Sequence, residues 1–253
     1  MKVVLIGSGN VATHLATAFQ ANGHVILQVW SATFKRAIDL AEKVSAEPIQ
    51  HLSQISTEAE LIVISVKDDA ISEVVSQLEN AKAIVVHTSG ATNISVLDGM
   101  PEYGVLYPLQ TFSKDKPLDF KQVPLCVEGN SAACTAKLVA VAKSLSNTVY
   151  EVDSLKRRIL HVAAAFACNF VNQLYVLSNE LLDAQGLDFN LLRPLIKETA
   201  DKVQHLQPLN VQTGPAVRHD EQTLKNHLEL LQGQPELQHI YQSLSDSIKK
   251  SHQ

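Results

Sequence analysis

Three groups of residues in this chain have the types and spacing to do chemistry. The first is Gly7-Ser-Gly-Asn-Val-Ala12, which follows the apolar run Val3 to Ile6 and opens a helical pattern at Val11, Leu15, Ala18 and Phe19. In a strand-turn-helix unit, Gly7 permits the tight turn, Gly9 lets a pyrophosphate approach the backbone, and Ala12 stays small where helix crosses strand. Gly7, Ser8, Gly9, Asn10 and Val11 are therefore candidate dinucleotide ligands, with free amides at the helix start facing the phosphates. The plain alternative is an ordinary strand-to-helix turn.

The second group sits at the ends of two later apolar runs. Ser65-Val-Lys-Asp-Asp69 follows Leu61 to Ile64, and His87-Thr-Ser-Gly90 follows Ala83 to Val86. Ligands of an open parallel sheet bind beyond the carboxyl ends of its strands. Val66, Lys67, His87 and Thr88 are candidates for the nicotinamide end of a cofactor, and Ser89 for polarising a reacting carbonyl. A solvated loop and a simple turn are the competing readings. A hydrolase with Ser89 as nucleophile and His87 as base lacks the Gly-x-Ser-x-Gly elbow.

The third group is His161, Asn169 and Asn172, polar residues on an otherwise apolar helical stretch. At about 100° per residue they fall within about 80° of arc, and His161 and Asn172 are roughly 16 Å apart along the axis. They cannot share one proton but can line one elongated cleft. An imidazole suits proton transfer near neutral pH, so His161 is the candidate general acid or base, with Asn169 and Asn172 orienting a substrate. The alternative is a core histidine with two satisfied amides.

The choice of dinucleotide rests on an absence. A site specific for NAD places Asp or Glu about 20 residues beyond the glycines, on the ribose hydroxyls. No acidic residue precedes Asp39, whereas Ser31, Thr33, Lys35 and Arg36 follow the second apolar run with hydroxyls and positive charge. NADP is favoured over NAD. Lys35 and Arg36 also read as the solvated face of the next helix.

The elements that must position these groups alternate as a doubly wound sheet requires. Strands are expected at Val3–Ile6, Val25–Trp30, around Pro48, at Leu61–Ser65, Ala83–His87, Tyr103–Leu106, Leu125–Glu128 and Thr148–Val152. Helices fall between them, near Phe34–Val44, around Ile71 to Leu78, and at Ala132–Leu145. Strand-like alternation stops at Asp153, a plausible N-cap for one long helix to about Ala184. Further helices are expected near Asp188–His205, Asp220–Leu231 and Pro235–Lys250, with a loop over Leu206–Val217 whose Gln212-Thr-Gly-Pro-Ala-Val-Arg218 looks like a binding segment. The expected organisation is an α/β Rossmann-like domain over residues 1–152 and an all-α domain over residues 153–253.

Composition narrows the function classes. The chain has 253 residues, 45% hydrophobic and 19% charged, with a formal net charge of −5. It is long enough for one large or two modest domains. Acidic balance without a basic run argues against nucleic acid or anionic membrane as partners. The first apolar run is too short for a signal peptide, and no stretch is expected to reach membrane-span length. The three cysteines and the histidines lack metal-ligand spacing, so no metal is assigned and a reducing, cytoplasmic setting is expected.

Taken together, Gly7-Ser-Gly-Asn-Val-Ala12, His87-Thr-Ser-Gly90, Tyr107-Pro-Leu-Gln-Thr-Phe-Ser113, His161 to Tyr175, Pro194-Leu-Ile-Lys-Glu-Thr199 and Gln212 to Arg218 resemble a bacterial oxidoreductase family. Its members join a Rossmann-like NADP domain to a helical domain of unknown function, DUF2520. The family in turn resembles deazaflavin-dependent NADP oxidoreductase, pyrroline-5-carboxylate reductase, ketopantoate reductase and the 6-phosphogluconate and β-hydroxyacid dehydrogenases. The resemblance implies a helical domain like the C-terminal one of 6-phosphogluconate dehydrogenase, an active site between the domains and a homodimer built through the helices. Two positions depart from the pattern. Relatives often carry Ser-Arg-Thr after the second strand where this chain has Ser31-Ala32-Thr33, and several place a lysine on the first long helix of the second domain where this chain offers His161. The expected activity is hydride transfer between NADP and a carbonyl or imine carbon of a small polar metabolite. A ketopantoate-reductase-like activity and a non-catalytic NADP(H) sensor are the alternatives.

Overall fold

Val3, Val4, Leu5 and Ile6 are all fully buried, as a strand covered on both faces must be. They belong to β1 (Lys2–Ile6) of a sheet seen in a computed structural model that describes every residue except Glu79, Asn80 and Asp115. Its other strands are β2 (Val25–Trp30), β3 (Glu47–Ile49), β4 (Leu61–Ile64), β5 (Ile84–His87), β6 (Tyr103–Pro108), β7 (Leu125–Gly129) and β8 (Val149–Glu151). Among the described residues the sheet has eight strands in the order β3-β2-β1-β4-β5-β6-β7-β8. The order reverses at β1, so the crevice for a ligand opens beside the β1 turn. All neighbours run parallel except β6 and β7, whose register pairs Pro108 with Leu125 and Gly104 with Gly129.

Helices cover both faces. On one, α1 (Asn10–Ala21) and α2 (Phe34–Lys43) pack Leu15, Phe19 and Leu40 with Val3, Leu5 and Val29, while α4 (Ala132–Leu145) covers β6 and β7 with Leu138 close to Gly104. On the other, α3 (Ile71–Ser76) sets Ile71, Val74 and Val75 against Val4, Ile6 and Ile62. Strand ends are aligned by register: Ile6 pairs with both Trp30 and Ile64, and Ile64 pairs with His87. The segments following these residues therefore emerge at one edge of the sheet.

After β8 the chain enters α5 (Ser154–Ala164), capped by the Asp153 carboxylate accepting from the Lys156 amide at 2.8 Å. Six residues, Ala165–Phe170, then adopt π-helical geometry before α6 (Val171–Asp183). A π turn holds one extra residue, so the register downstream is shifted by roughly 100° from the even spacing assumed for His161, Asn169 and Asn172. The run Ser154–Asp183, 30 residues, is by length and composition long and apolar enough to cross a membrane, contrary to expectation. Its charged residues stand only near its two ends, and interspersed polar residues such as His161 and Asn169 break up the apolar run between them.

The chain divides into two compact units at Asn169/Phe170. Strands cease near residue 152, but α5 still belongs to the sheet unit: Ser154 and Arg157 are buried, and Leu160 packs on Val105, Tyr107 and Cys126. The second unit holds α6, α7 (Arg193–His205), α8 (Pro208–Val211), α9 (Glu221–Leu230) and α10 (Pro235–Ser251). The short α8 lies where a loop was expected, because Pro208 is placed in a helical first turn rather than in a breaker position. Within this unit α9 and α10 are tied by His227 Nδ1 and the Tyr241 hydroxyl at 2.7 Å and by Lys249 with Glu221 at 2.7 Å.

Candidate cofactor and substrate site

The glycine turn is built by close contact with the neighbouring strand. Gly7 has φ of +127°, and a Cβ there would fall 2.0 Å from the Ser65 carbonyl oxygen. Only glycine lets β1 turn so near the end of β4. At Gly9, the residue preceding α1, a Cβ would meet nothing within 4 Å, so the space in front of the turn is open. No side chain caps α1 and no acidic residue occupies its first turn. Its first amides are thus left for an anion, as the phosphates of a dinucleotide require.

A cavity of about 1000 Å³ extends from this turn along the strand ends. It is lined by Gly7, Ser8, Gly9, Asn10 and Val11 from the turn, and by Ser31, Thr33 and Arg36 from beyond β2. Val66 and Lys67 reach it from beyond β4, Thr88 and Ser89 from beyond β5. Ser8 and Ser31 face one another with hydroxyl oxygens 2.8 Å apart. Lys35, expected to contact phosphate, does not line the cavity. It lies on the outer side of α2, paired with Asp39 at 2.7 Å, its (i,i+4) neighbour.

His87 is likewise displaced from its expected place. The ring is fully buried beneath the cavity wall, and its Nδ1 accepts the Ser89 amide at 3.2 Å. Burial, assisted by the nearby Arg157 charge, lowers its pKa to about 3, so it stays neutral. The Ser89 hydroxyl oxygen accepts the amides of Ala91 at 3.1 Å and Thr92 at 2.9 Å. Ser89 Oγ therefore shapes a turn and keeps its own hydrogen for the cavity, and His87 is spent on the Ser89 backbone. No serine-histidine dyad is assembled here, which removes the hydrolase alternative.

At the far end of the cavity stand His161, from α5, and Tyr107, from β6. The Tyr107 hydroxyl is 3.1 Å from His161 Nδ1, and the rings meet edge to face with centroids 6.0 Å apart. Gly90 makes the space they share, since a Cβ there would lie 2.6 Å from His161 Nδ1 and 2.8 Å from Tyr107 Cζ. Burial raises the Tyr107 pKa to about 12, so the phenol stays protonated.

One turn before His161, Arg157 is fully buried. Its guanidinium donates to Glu128 Oε2 on β7, to the Thr92 carbonyl at 2.5 Å and to Ser154 Oγ at 3.1 Å. Ser154 in turn donates to Glu128 at 2.8 Å and accepts the Ile94 amide at 3.0 Å. This charge cluster fastens α5 to the sheet and to the loop after β5, and so fixes the position of His161. Asn169 and Asn172, expected to line the cleft and orient a substrate, do not line this cavity; both are exposed, and Asn172 belongs to the second unit.

Family models match both parts of the chain: a Rossmann-like domain over residues 1–112 and a domain of unknown function, DUF2520, over residues 123–248. No curated protein matches. A solved structure from Bacteroides fragilis, classed as an NADP oxidoreductase, is 45% identical, with 98% of each chain covered and a TM-score of 0.92. The chain belongs to the Rossmann-like oxidoreductase family with a DUF2520 domain. Pyrroline-5-carboxylate reductase from Streptococcus pyogenes shares the family fold at 12% identity, covering 99% of this chain and 98% of that one, with a TM-score of 0.67. Reductive aminase from Aspergillus terreus shares it at 15% identity, covering 97% and 92%, with a TM-score of 0.71.

For this family member, sequence reasoning missed Tyr107, Trp30 and Gln110 as cavity residues. Tyr107 and Trp30 each lie at or next to the last residue of a strand, which is the signal that marked Val66 and Thr88. Among the described residues no cluster of histidine, cysteine and carboxylate side chains is arranged to hold a metal ion.

Proposed function

We propose that this chain is an NADP-dependent oxidoreductase that moves a hydride to or from a carbonyl or imine carbon of a small polar metabolite. One observation carries the reading: the glycine turn and the Tyr107–His161 pair line the same cavity. The bound nicotinamide supplies the hydride; reduction then also needs a proton on the substrate oxygen or nitrogen. With Nδ1–H of His161 donating to the Tyr107 oxygen, Nε2 is the nitrogen left to gain or lose that proton. The phenol, held protonated, keeps its own hydrogen to donate to the same substrate atom. Thr88 and Ser89 present hydroxyls along the cavity wall, and Lys67 a positive charge. The name of the Bacteroides relative supports NADP as the cofactor.

Fluorescence titration with NADPH and NADH, followed by a screen of keto acids and cyclic imines with whichever binds, tests the assignment. Binding with consumption of cofactor by at least one carbonyl or imine class is the expected result. No affinity for either nucleotide at millimolar concentration overturns it, and binding without consumption across the panel favours a sensor. We further propose that the chain is a homodimer, supported by the apolar outer face of α5, where Leu155, Ile159 and Val162 are 61%, 62% and 56% exposed. Sedimentation at micromolar concentration reads that directly, and a monomer would overturn it.

A further inference from the structure

Of the residues that follow β2, Ala32 carries no charge and Lys35 is turned away to Asp39. A 2′-phosphate beyond Ser31 must draw its positive charge from elsewhere. Beside the main cavity, sharing Ser8 and Arg36 with it, lies a small recess also lined by Thr13, Asp39, Lys43 and Lys114. Arg36, Asp39 and Lys43 come from one face of α2, spaced by three and four residues. Lys114 comes from the segment after β6, on the far side of the sheet order from β2.

That segment is tied across the start of α1. Asn10 Nδ2 donates to the Phe112 carbonyl at 2.8 Å, and His14 Nε2 lies 2.9 Å from the Ser113 carbonyl. The His14 and Phe112 rings add a contact at 5.2 Å. Two bonds to consecutive carbonyls deliver the next residue, Lys114, to the recess beside the Ser8–Ser31 hydroxyl pair. Among the described residues Arg36, Lys43 and Lys114 form no ion pair, and the one carboxylate in the recess, Asp39, is held by Lys35. Three cations converging beside two hydroxyls complement a phosphate dianion.

We propose that Lys114 is a cofactor-specificity residue, reaching over α1 to hold, with Arg36, the 2′-phosphate that distinguishes NADP from NAD. It supplies the positive charge that neither Ala32 nor Lys35 offers, and the assignment rests on the NADP reading above. Because the site is open to solvent, the contact is electrostatic and screened by salt.

The test measures dissociation constants of NADPH and NADH for wild type and K114M by nucleotide fluorescence, with 2′,5′-ADP and 5′-ADP as competitors. K114M is expected to weaken NADPH and 2′,5′-ADP about tenfold, to leave NADH and 5′-ADP within twofold, and to flatten the salt dependence of NADPH binding. Far-ultraviolet circular dichroism and a thermal melt check that the variant is folded; K114R, which keeps the charge, serves as a second variant and is expected to retain the preference. Equal weakening of both nucleotides, or an unchanged preference for NADPH in K114M, overturns the role of Lys114 while the cofactor assignment stands. A wild type that binds NADPH no better than NADH overturns both.

Discussion

Nδ1 of His161 and the hydroxyl oxygen of Tyr107 lie 3.1 Å apart although 54 positions separate them in the chain, and only a glycine at residue 90 leaves room for both rings. The contact occupies Nδ1, so in the proposed reaction Nε2 is the imidazole nitrogen that faces the substrate proton. Replacing His161 with Gln is expected to lower kcat about a hundredfold or more while NADPH affinity stays within threefold. Replacing Tyr107 with Phe keeps the ring but deletes the partner of Nδ1, and a loss of about tenfold in kcat is expected. Turnover unchanged in H161Q would remove the imidazole from the reaction.

Gly90→Ala adds one carbon where two side chains already stand within 3 Å of it. One ring must move. The expected outcome is a cost of about 1–3 kcal/mol in urea unfolding, typical of overpacking, with a larger proportional loss in kcat than in cofactor affinity. Full activity in G90A would show that the rings need not keep their present alignment.

His87 ties stability to acidity. Its pKa stands at about 3 in the folded chain against an ordinary 6.5, with burial the main cause and the Arg157 charge second. Between those values the unfolded chain binds the extra proton, so stability rises with pH and drains away as pH falls from about 6.5 toward 3. The slope from this one group is at most about 1.4 kcal/mol per pH unit. Urea melts across pH 4.5 to 7.5 are expected to show a shallower slope in H87Q than in wild type, and parallel curves would exclude His87 as the source.

Arg157 is a fully buried cation whose partner Glu128 is 17% exposed. Removing one charge strands the other, so R157M is expected to destabilise by about 3–5 kcal/mol. The double variant R157M/E128M should recover part of that loss, giving a coupling energy of the sign a double-mutant cycle assigns to a paired interaction. Additive losses would mean the two groups act independently.

Much of this architecture was legible before any coordinates. Buried parallel strands announce themselves as runs such as Leu61–Ile64, because both faces must be apolar, and a glycine turn directly behind such a run marks a phosphate cradle. The antiparallel course of β7 left no trace, since Leu125 to Val127 is as apolar as its parallel neighbours. The burial of Arg157 left no mark in the sequence, because charge alone does not disclose a carboxylate partner 29 positions away. The misplacement of His87 and Lys35 has a common origin: position within an element was known, but not which side of it faced the ligand. The amides at 169 and 172 fell to the π segment, whose wider turn no apolar spacing foretold.

The reversal at β7 has a further bearing on how His161 comes to be where it is. Because Leu125 starts opposite Pro108 and β8 runs alongside β7, the chain leaves the sheet at the margin remote from the glycine turn. From there α5 climbs back, and eight residues of helix, about 12 Å of rise, lift an imidazole from Asp153 to the rim beside Tyr107. Had that strand run with its neighbours, the helix would begin at the rim and carry its histidine off in the opposite direction. A single change of heading late in the sheet thus returns His161 to the edge at which the glycine turn lies.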